Sequence, residues 1–110
     1  MSDTVRIGMA GLGVVGGGVL KLLHEQRELL KNRSGKWLKV VAVCAKDRGR
    51  KRTTDISDLR WYDDVCELAT DPDIDVVCEF IGGAEGAARA LSEYTLEKGK
   101  HLVTANKALL

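Results

Sequence analysis

The sequence predicts an α/β fold, a doubly wound parallel sheet with helices on both faces. Short apolar runs alternate with segments of helical periodicity four times along the chain, as expected where crossover helices join parallel strands. The first apolar run ends in glycines that open a helix, which is the arrangement at the ligand-binding edge of such sheets. The 110 residues suffice for one domain with a modest core.

The first half of the chain is predicted to contain two strands and one long helix. Residues 5–10 form a mostly apolar run that suits a buried strand, and apolar residues recur at helical spacing over residues 15–34. Residues 37–45 are rich in β-branched side chains and predict the second strand. Residues 46–58 are hydrophilic and aperiodic, which predicts a loop.

The second half is predicted to contain two further strands. Asp64 and Glu67 resemble a capping box at the start of a short helix through Ala69, which Asp71 and Pro72 end. The remaining predicted elements are a strand at 75–81, a helix at about 85–98 with Leu91 and Leu96 on its apolar face and Gly99 at its end, a strand at 101–104, and the first turn of another helix at 106–110.

Composition and charge exclude several classes of protein. Hydrophobic residues make up 45% and charged residues 30%, as in ordinary globular domains. The net charge of +1 provides no overall field that would attract nucleic acid or an anionic membrane. Charged residues and glycines interrupt the apolar stretch at 5–23, so it suits neither a signal sequence nor a membrane span. We therefore expect a cytoplasmic protein with neither nucleic-acid nor membrane partners.

The three cysteines predict no metal site. Cys44, Cys66 and Cys78 are widely spaced and lack the partner patterns of zinc ligands or of a disulfide framework. Cys44 and Cys78 lie within apolar runs, where a thiol is usually inert. We expect all three to be reduced residues of the packed interior.

The glycines after the first strand form a G-x-G-x-x-G motif, GLGVVG, between a predicted strand and a predicted helix. In such a motif Gly11 permits the tight turn, Gly13 lets the backbone approach a pyrophosphate, and Gly16 allows close packing of helix and strand. The motif predicts a dinucleotide site, to which Val14 and Val15 also contribute. The alternative is a strand-to-helix turn without a ligand.

The end of the second strand favours NADP(H) over NAD(H). A site for NAD usually has an acidic residue there to bind the ribose 2′-hydroxyl, but this chain has Ala45 and Lys46, with Asp47 one or two positions late. A basic run follows, in which Lys46 and Arg48 are the candidates to bind a 2′-phosphate. NAD(H) stays possible, with the basic run as a solvated loop.

Two later segments, DPDIDVVCEFIGG at 71–83 and GKHLVTANKALL at 99–110, complete the pattern. Together with AGLGVVGGGV they resemble homoserine dehydrogenases, and VTANKALL is the most specific part because generic Rossmann domains lack it. The resemblance implies NAD(P)-dependent interconversion of L-homoserine and L-aspartate 4-semialdehyde in threonine, methionine and isoleucine biosynthesis. It also implies that residues 1–110 are a Rossmann-type dinucleotide-binding domain, and that the family's substrate and dimerisation domain is absent from this chain.

The resemblance implies roles for the ends of the last two predicted strands. Lys107 matches the lysine of the family's TANK motif and would transfer a proton or orient the substrate. Glu79, inside a strand, is interpreted as structural, with a contact to the ligand as the alternative. The residues that would border the nicotinamide and its ribose, at the carboxyl ends of these strands, are Ile81, Gly82, Gly83, Thr104, Ala105, Asn106 and Lys107.

These expectations define what the chain should bind. As a fragment it should bind the dinucleotide without turnover, because the small-molecule substrate would need the missing domain, and the full-length protein should be a homo-oligomer. The alternative is a non-catalytic module that senses nucleotides. Such a module would share the glycine turn but would have no reason to contain TANKALL.

Overall fold

The computed structural model describes residues 3–45, 56–81 and 87–104, which form an α/β sandwich around one five-stranded sheet. The strand order is β3-β2-β1-β4-β5 and every pairing is parallel. The elements are β1 Thr4–Ala10, α1 Val14–Glu25, α2 Arg27–Ser34, β2 Trp37–Cys44, β3 Arg60–Tyr62, α3 Cys66–Thr70, β4 Val76–Glu79, α4 Ala87–Glu97 and β5 His101–Thr104.

The sheet has a hydrophobic core on each face, which confirms the doubly wound fold. On one face Leu12 and Leu20 from the region of α1 pack against strand residues such as Met9 and Val43. On the other face the residues of α3 and α4 meet the opposite side chains of the same strands, and the buried members are Ala10, Ala42, Cys44, Leu68, Ala69, Ile74, Val77 and Leu91. Because both faces are covered, the central strands are apolar on both sides.

The prediction of four strands is wrong, because β3 is a fifth. It comprises only Arg60–Tyr62 and pairs with the end of β2, where Cys44 lies opposite Tyr62. Three residues are too few to show an alternating pattern, so sequence periodicity cannot reveal such a strand. Most of the predicted loop, residues 46–55, lies outside the described residues. In the part that is described, Ile56 and Leu59 pack against the core on the α1 face.

The single long helix predicted at 15–34 is in fact two helices, α1 and α2, which meet at Gln26. The guanidinium of Arg27 donates to the carbonyl oxygen of His24 at 2.9 Å, so a side chain binds one of the carbonyls left at the end of α1.

In α4, Leu91 is buried as predicted, but Leu96 is 62% exposed and Thr95 occupies the buried position one turn after Leu91.

The predicted helix signals around α3 are confirmed. The Asp64 carboxylate accepts a hydrogen bond from the backbone N–H of Cys66 at 2.9 Å, and the Glu67 carboxylate accepts one from the N–H of Asp64 at 3.3 Å. These reciprocal bonds satisfy N–H groups at the helix start. The helix ends at Thr70, and the extended backbone of Asp71 leads into Pro72 as expected.

A polar network lies at the amino-terminal edge of the sheet and centres on Asp71. Its side chain is only 6% exposed, and Oδ2 accepts hydrogen bonds from the Tyr62 hydroxyl at 2.7 Å and from Arg60 Nη2 at 2.8 Å. Oδ1 accepts the N–H of Asp73 at 2.8 Å. Burial raises the pKa of Asp71, but these hydrogen bonds and the Arg60 charge outweigh burial, so the pKa lies below its ordinary value.

Arg6 extends this network to β1. The Asp75 carboxylate accepts the backbone N–H of Arg6 at 2.9 Å, and the Arg6 guanidinium contacts Asp73 at 2.9 Å. The backbone hydrogen bond from Arg6 is the main cause that lowers the pKa of Asp75. Lys100, directly before β5, connects that strand to the network, because its ammonium donates to the carbonyl oxygen of Asp71 at 2.8 Å. The DPDID segment thus ties strands β1, β3, β4 and β5 together.

We expect Asp71→Asn to lower the free energy of unfolding at pH 7 by about 1–3 kcal/mol, because Arg60 and Tyr62 lose a buried ionised acceptor. The folded pKa of Asp71 is lowered, so its contribution is complete above the pKa of an unfolded aspartate, about 3.9, and is lost as the pH falls through the folded value. Urea unfolding at pH 7 and at a series of pH values below about 4.5 measures both effects.

The matched control is Asp63→Asn, at an exposed aspartate of the same loop region. It should leave the unfolding midpoint nearly unchanged. Equal midpoints for the two variants would show that the Asp71 network does not contribute to stability.

Candidate functional site

The carboxyl ends of β1, β2, β4 and β5 meet at one edge of the sheet. From β1 the chain moves outward through β2 to β3, and it then returns to place β4 on the other side of β1. The strand order therefore reverses between β1 and β4. In open α/β sheets ligands bind in the crevice at this point, outside the carboxyl ends of the strands.

Gly11 forms the turn that follows β1. Its φ of +96° lies in the left-handed region, and a Cβ there would lie 3.0 Å from the backbone carbonyl carbon and oxygen of Phe80. Its N–H donates to the carbonyl oxygen of Cys44 at 2.8 Å, at the end of β2. The turn is thus held between β2 and the segment after β4, and glycine is required for both its conformation and its space.

Gly16 lies in the first turn of α1, directly against the glycine turn. A Cβ at Gly16 would lie only 1.9 Å from the carbonyl oxygen of Gly11 and 2.8 Å from its carbonyl carbon. Backbone atoms cannot move aside as a flexible side chain could. The absence of a side chain at Gly16 therefore allows the helix to start this close to β1, as the motif predicts.

Gly13 differs from both of these glycines. It is exposed, its φ of −73° is one that any residue adopts, and a Cβ there would meet no described atom within 4 Å. It is the N-cap residue of α1, without a side-chain cap, and the first turn of the helix contains no acidic residue. The helix therefore presents backbone N–H groups and the positive end of its dipole at an open surface, which suits a phosphate.

The structure brings most of the described candidate residues to this one edge. Val15 is 53% exposed near the start of α1, and Ile81 is 40% exposed after β4. Ala45 follows β2 and is half-buried, and Thr104 ends β5. Val14 is the first residue of α1. The candidates outside the described residues are Lys46, Arg48, Gly82, Gly83, Ala105, Asn106 and Lys107.

Glu79 is a residue of this edge that the sequence prediction left among the structural ones. It ends β4, is fully buried, and lies opposite Ala10 of β1 and Thr104 of β5. Its Oε1 accepts the backbone N–H of Ile81 at 2.6 Å, and its Oε2 accepts the Thr104 hydroxyl at 2.7 Å. The available signal was a carboxylate within an apolar strand run, because buried carboxylates are rare unless they have partners.

The thiols nearest this edge are poorly suited to chemistry. Burial raises the pKa of Cys44 to about 11 and that of Cys78 to about 11. Both are therefore protonated at neutral pH and belong to the core, as predicted.

Within residues 3–45, 56–81 and 87–104, no group of three or more His, Cys, Asp or Glu side chains could hold a metal ion. In the same ranges no helix is long and apolar enough to cross a membrane.

The sequence matches a family model described as the homoserine dehydrogenase NAD binding domain over residues 11–110. The chain belongs to the homoserine dehydrogenase family. It is 38% identical to the homoserine dehydrogenase of Bacillus subtilis over 106 residues, which is 96% of the chain and 24% of the relative. With that of Helicobacter pylori it is 38% identical over 110 residues, 100% of the chain and 25% of the relative. The chain thus spans about a quarter of the length of these relatives.

Solved structures of homoserine dehydrogenases have the same fold. That of Staphylococcus aureus at pH 6.5 matches with a TM-score of 0.85 and 31% identity, over 97% of this chain and 27% of the other. That of Thiobacillus denitrificans matches with a TM-score of 0.82 and 34% identity, over 94% of this chain and 24% of the other. The chain is accordingly a Rossmann-like nicotinamide-dinucleotide-binding domain, and the resemblance inferred from the glycine turn and VTANKALL is confirmed.

We expect Gly16→Ala to lower the free energy of unfolding by about 1–3 kcal/mol, because the new Cβ overlaps the Gly11 carbonyl and the start of α1 must move. Gly18→Ala lies two residues further along the same helix, where a Cβ meets nothing within 4 Å. It should stabilise the chain by about 0.5–1 kcal/mol through helix propensity. Urea unfolding of both variants measures the difference, and similar stability of the two would contradict the tight packing of α1 on the turn.

Proposed function

We propose that this chain is the dinucleotide-binding part of a cytoplasmic homoserine dehydrogenase, which as a whole protein interconverts L-homoserine and L-aspartate 4-semialdehyde in threonine, methionine and isoleucine biosynthesis. The observation that carries the proposal is the open, uncapped start of α1 at Gly13, beside a turn that Gly11 and Gly16 make rigid. Membership of the homoserine dehydrogenase family supports the choice of substrate.

The pyrophosphate would bind at the start of α1. Gly11 and Gly16 are required by contacts within the protein, whereas Gly13 is required by none of the described ones. Glycine is favoured over alanine at a helix N-cap, so Gly13 also has a local reason to be glycine. The same glycine leaves the backbone open to a ligand that approaches closely, and the backbone N–H groups of the first turn would bind the phosphate oxygens.

The dinucleotide is proposed to be NADP(H) in preference to NAD(H). Ala45, directly after β2, has no polar side chain to bind a ribose 2′-hydroxyl. In the sequence Lys46 and Arg48 follow it, and each could bind the oxygens of a 2′-phosphate by charge-assisted hydrogen bonds. If the dinucleotide is NAD(H) instead, Asp47 would bind the ribose 2′-hydroxyl and the basic residues would be solvated.

The reacting end of the site is proposed to lie between the ends of β4 and β5. The bound nicotinamide supplies or accepts the hydride at its C4 atom. Ile81 and Thr104, with Gly82, Gly83, Ala105 and Asn106 that follow them in sequence, would border the ring and its ribose. Lys107 would hold or transfer a proton at the oxygen of the substrate, which requires a lowered pKa or a relay to a second group near neutral pH.

We expect the purified chain to bind NADPH more tightly than NADH, and to lose much of that preference at high salt because salt screens the charge on the 2′-phosphate. A titration that follows nicotinamide fluorescence at low and high salt measures both effects. Preference for NADH would assign the ribose to Asp47, and binding of neither dinucleotide would contradict the proposed function.

Gly13→Ala and Gly18→Ala provide matched variants for this titration. Neither new Cβ meets a described atom within 4 Å, so both variants should fold. Gly13→Ala should weaken binding at least about tenfold, because its Cβ occupies the space through which a pyrophosphate approaches the backbone. Gly18→Ala should bind like the wild type, and equal affinities for the two variants would argue against a pyrophosphate at Gly13.

We expect the chain of 110 residues to bind the dinucleotide without oxidising homoserine, because it spans only about a quarter of its relatives and the substrate groups are proposed to lie in the remaining part. The same part is proposed to make the homo-oligomer. Absorbance at 340 nm with homoserine and NADP measures turnover, and a full-length relative is the positive control. Homoserine-dependent reduction of NADP by this chain would overturn the expectation.

A further inference from the structure

Glu79 is fully buried at the end of β4, yet its carboxylate serves two groups outside its own strand. Oε1 accepts the N–H of Ile81 at 2.6 Å, and Oε2 accepts the hydroxyl of Thr104 at 2.7 Å. The strand itself needs no carboxylate at this position, because the preceding residues Val77 and Cys78 are buried and apolar. Burying a carboxylate is unfavourable unless it is well hydrogen-bonded, and these two bonds link Glu79 to the segment after β4 and to the end of β5.

Both hydrogen bonds end at the edge where the dinucleotide is proposed to bind. The N–H of Phe80 still pairs with the carbonyl oxygen of Ala10 at 2.8 Å, whereas the N–H of Ile81 turns to the Glu79 side chain. Glu79 therefore fixes the backbone where the chain leaves the sheet. The nitrogen of Ile81 also lies close to the glycine turn, 3.2 Å from the position that a Cβ of Gly11 would occupy.

The second bond connects this point to the neighbouring strand. Thr104 is the last residue of β5 and lies opposite Glu79 in the parallel pairing. A hydroxyl that donates to a buried carboxylate has its rotamer fixed, and such charge-assisted bonds are shorter and stronger than neutral ones. One carboxylate thus sets the positions of Ile81 and Thr104 relative to each other and to the glycine turn.

We propose that Glu79 is a positioning residue for the nicotinamide end of the site, which it orders through Ile81 and Thr104. This inference rests on the proposed function, since it assigns Ile81 and Thr104 to the nicotinamide end. Glu79 would act without contacting the dinucleotide, because its side chain is fully buried. Its effect should be confined to that end and should not reach the pyrophosphate site at Gly13.

The test compares Glu79→Gln with the wild type in binding two kinds of probe. One is NADPH or NADH; the other is 2′-phospho-ADP or ADP, which retains both phosphates but lacks the nicotinamide and its ribose. A glutamine amide has one oxygen for Ile81 but presents N–H donors to Thr104. The dinucleotide should bind about tenfold more weakly if the variant keeps Ile81 and Thr104 in the binding arrangement only about a tenth of the time, because affinity falls by that fraction, while the shorter probe should be unaffected.

Glu93→Gln is the matched control, because Glu93 is an exposed residue of α4 and its change should alter neither affinity. Equal losses for both probes, or no loss for either, would overturn the positioning role. Failure of the wild type to bind any dinucleotide would instead refute the proposed function, and the inference with it.

Thr104→Val carries the same test if Glu79→Gln fails to fold, because it removes the hydroxyl that donates to Glu79 and leaves the hydrogen bond between Glu79 and Ile81 in place. It should weaken binding of the dinucleotide and spare the shorter probe. Where both variants fold, their combination should lose less than the product of the two separate factors, because they share one hydrogen bond. Independent effects would show that Glu79 does not act through Thr104.

Discussion

The close contact between the first turn of α1 and the turn after β1 is the constraint on which the rest of the site depends. With no side chain at Gly16, the helix can lie against the carbonyl of Gly11, where a Cβ would come within 1.9 Å. The helix start is thereby fixed at the carboxyl edge of the sheet, between the ends of β2 and β4. Backbone N–H groups can hold an anion well only if the helix that presents them cannot shift. The proposed binding therefore depends on this packing, which is in place before a ligand arrives.

The polar network and the proposed binding site lie at opposite edges of the sheet. At the amino-terminal edge, Arg6, Arg60, Tyr62 and Lys100 surround the carboxylates of the DPDID segment and link four strands. At the carboxyl edge the groups that point outward are backbone N–H groups, small residues and partly exposed Ile81 and Val15. At the carboxyl edge the first turn of α1 has no side-chain cap and no acidic residue, so its backbone N–H groups can be offered to a ligand.

The sequence predicted the parts of this structure that depend on neighbouring residues. The start of α1, the capping box at Asp64 and the turn at Gly11 follow from local periodicity and backbone chemistry, and all three are present. The third strand could not be predicted, because Arg60–Tyr62 gains its strand character only by pairing with β2. The break at Gln26 was missed because the apolar spacing continues through it, while the structure marks it by the non-helical backbone of Gln26 and by a side-chain bond from Arg27.

The site was predictable to the same extent. The purposes of Gly11 and Gly16 could be predicted from their spacing, because they concern a turn and a helix that are adjacent in sequence, whereas the purpose of Gly13 stays a prediction. Glu79 has partners at two other points, one of them in the next strand, so its spacing within VVCEF indicates burial but not the groups it orders. A buried carboxylate that binds both the segment after its own strand and the end of the neighbouring strand is a nonlocal feature. Such residues are found by asking where each buried polar atom finds its partner.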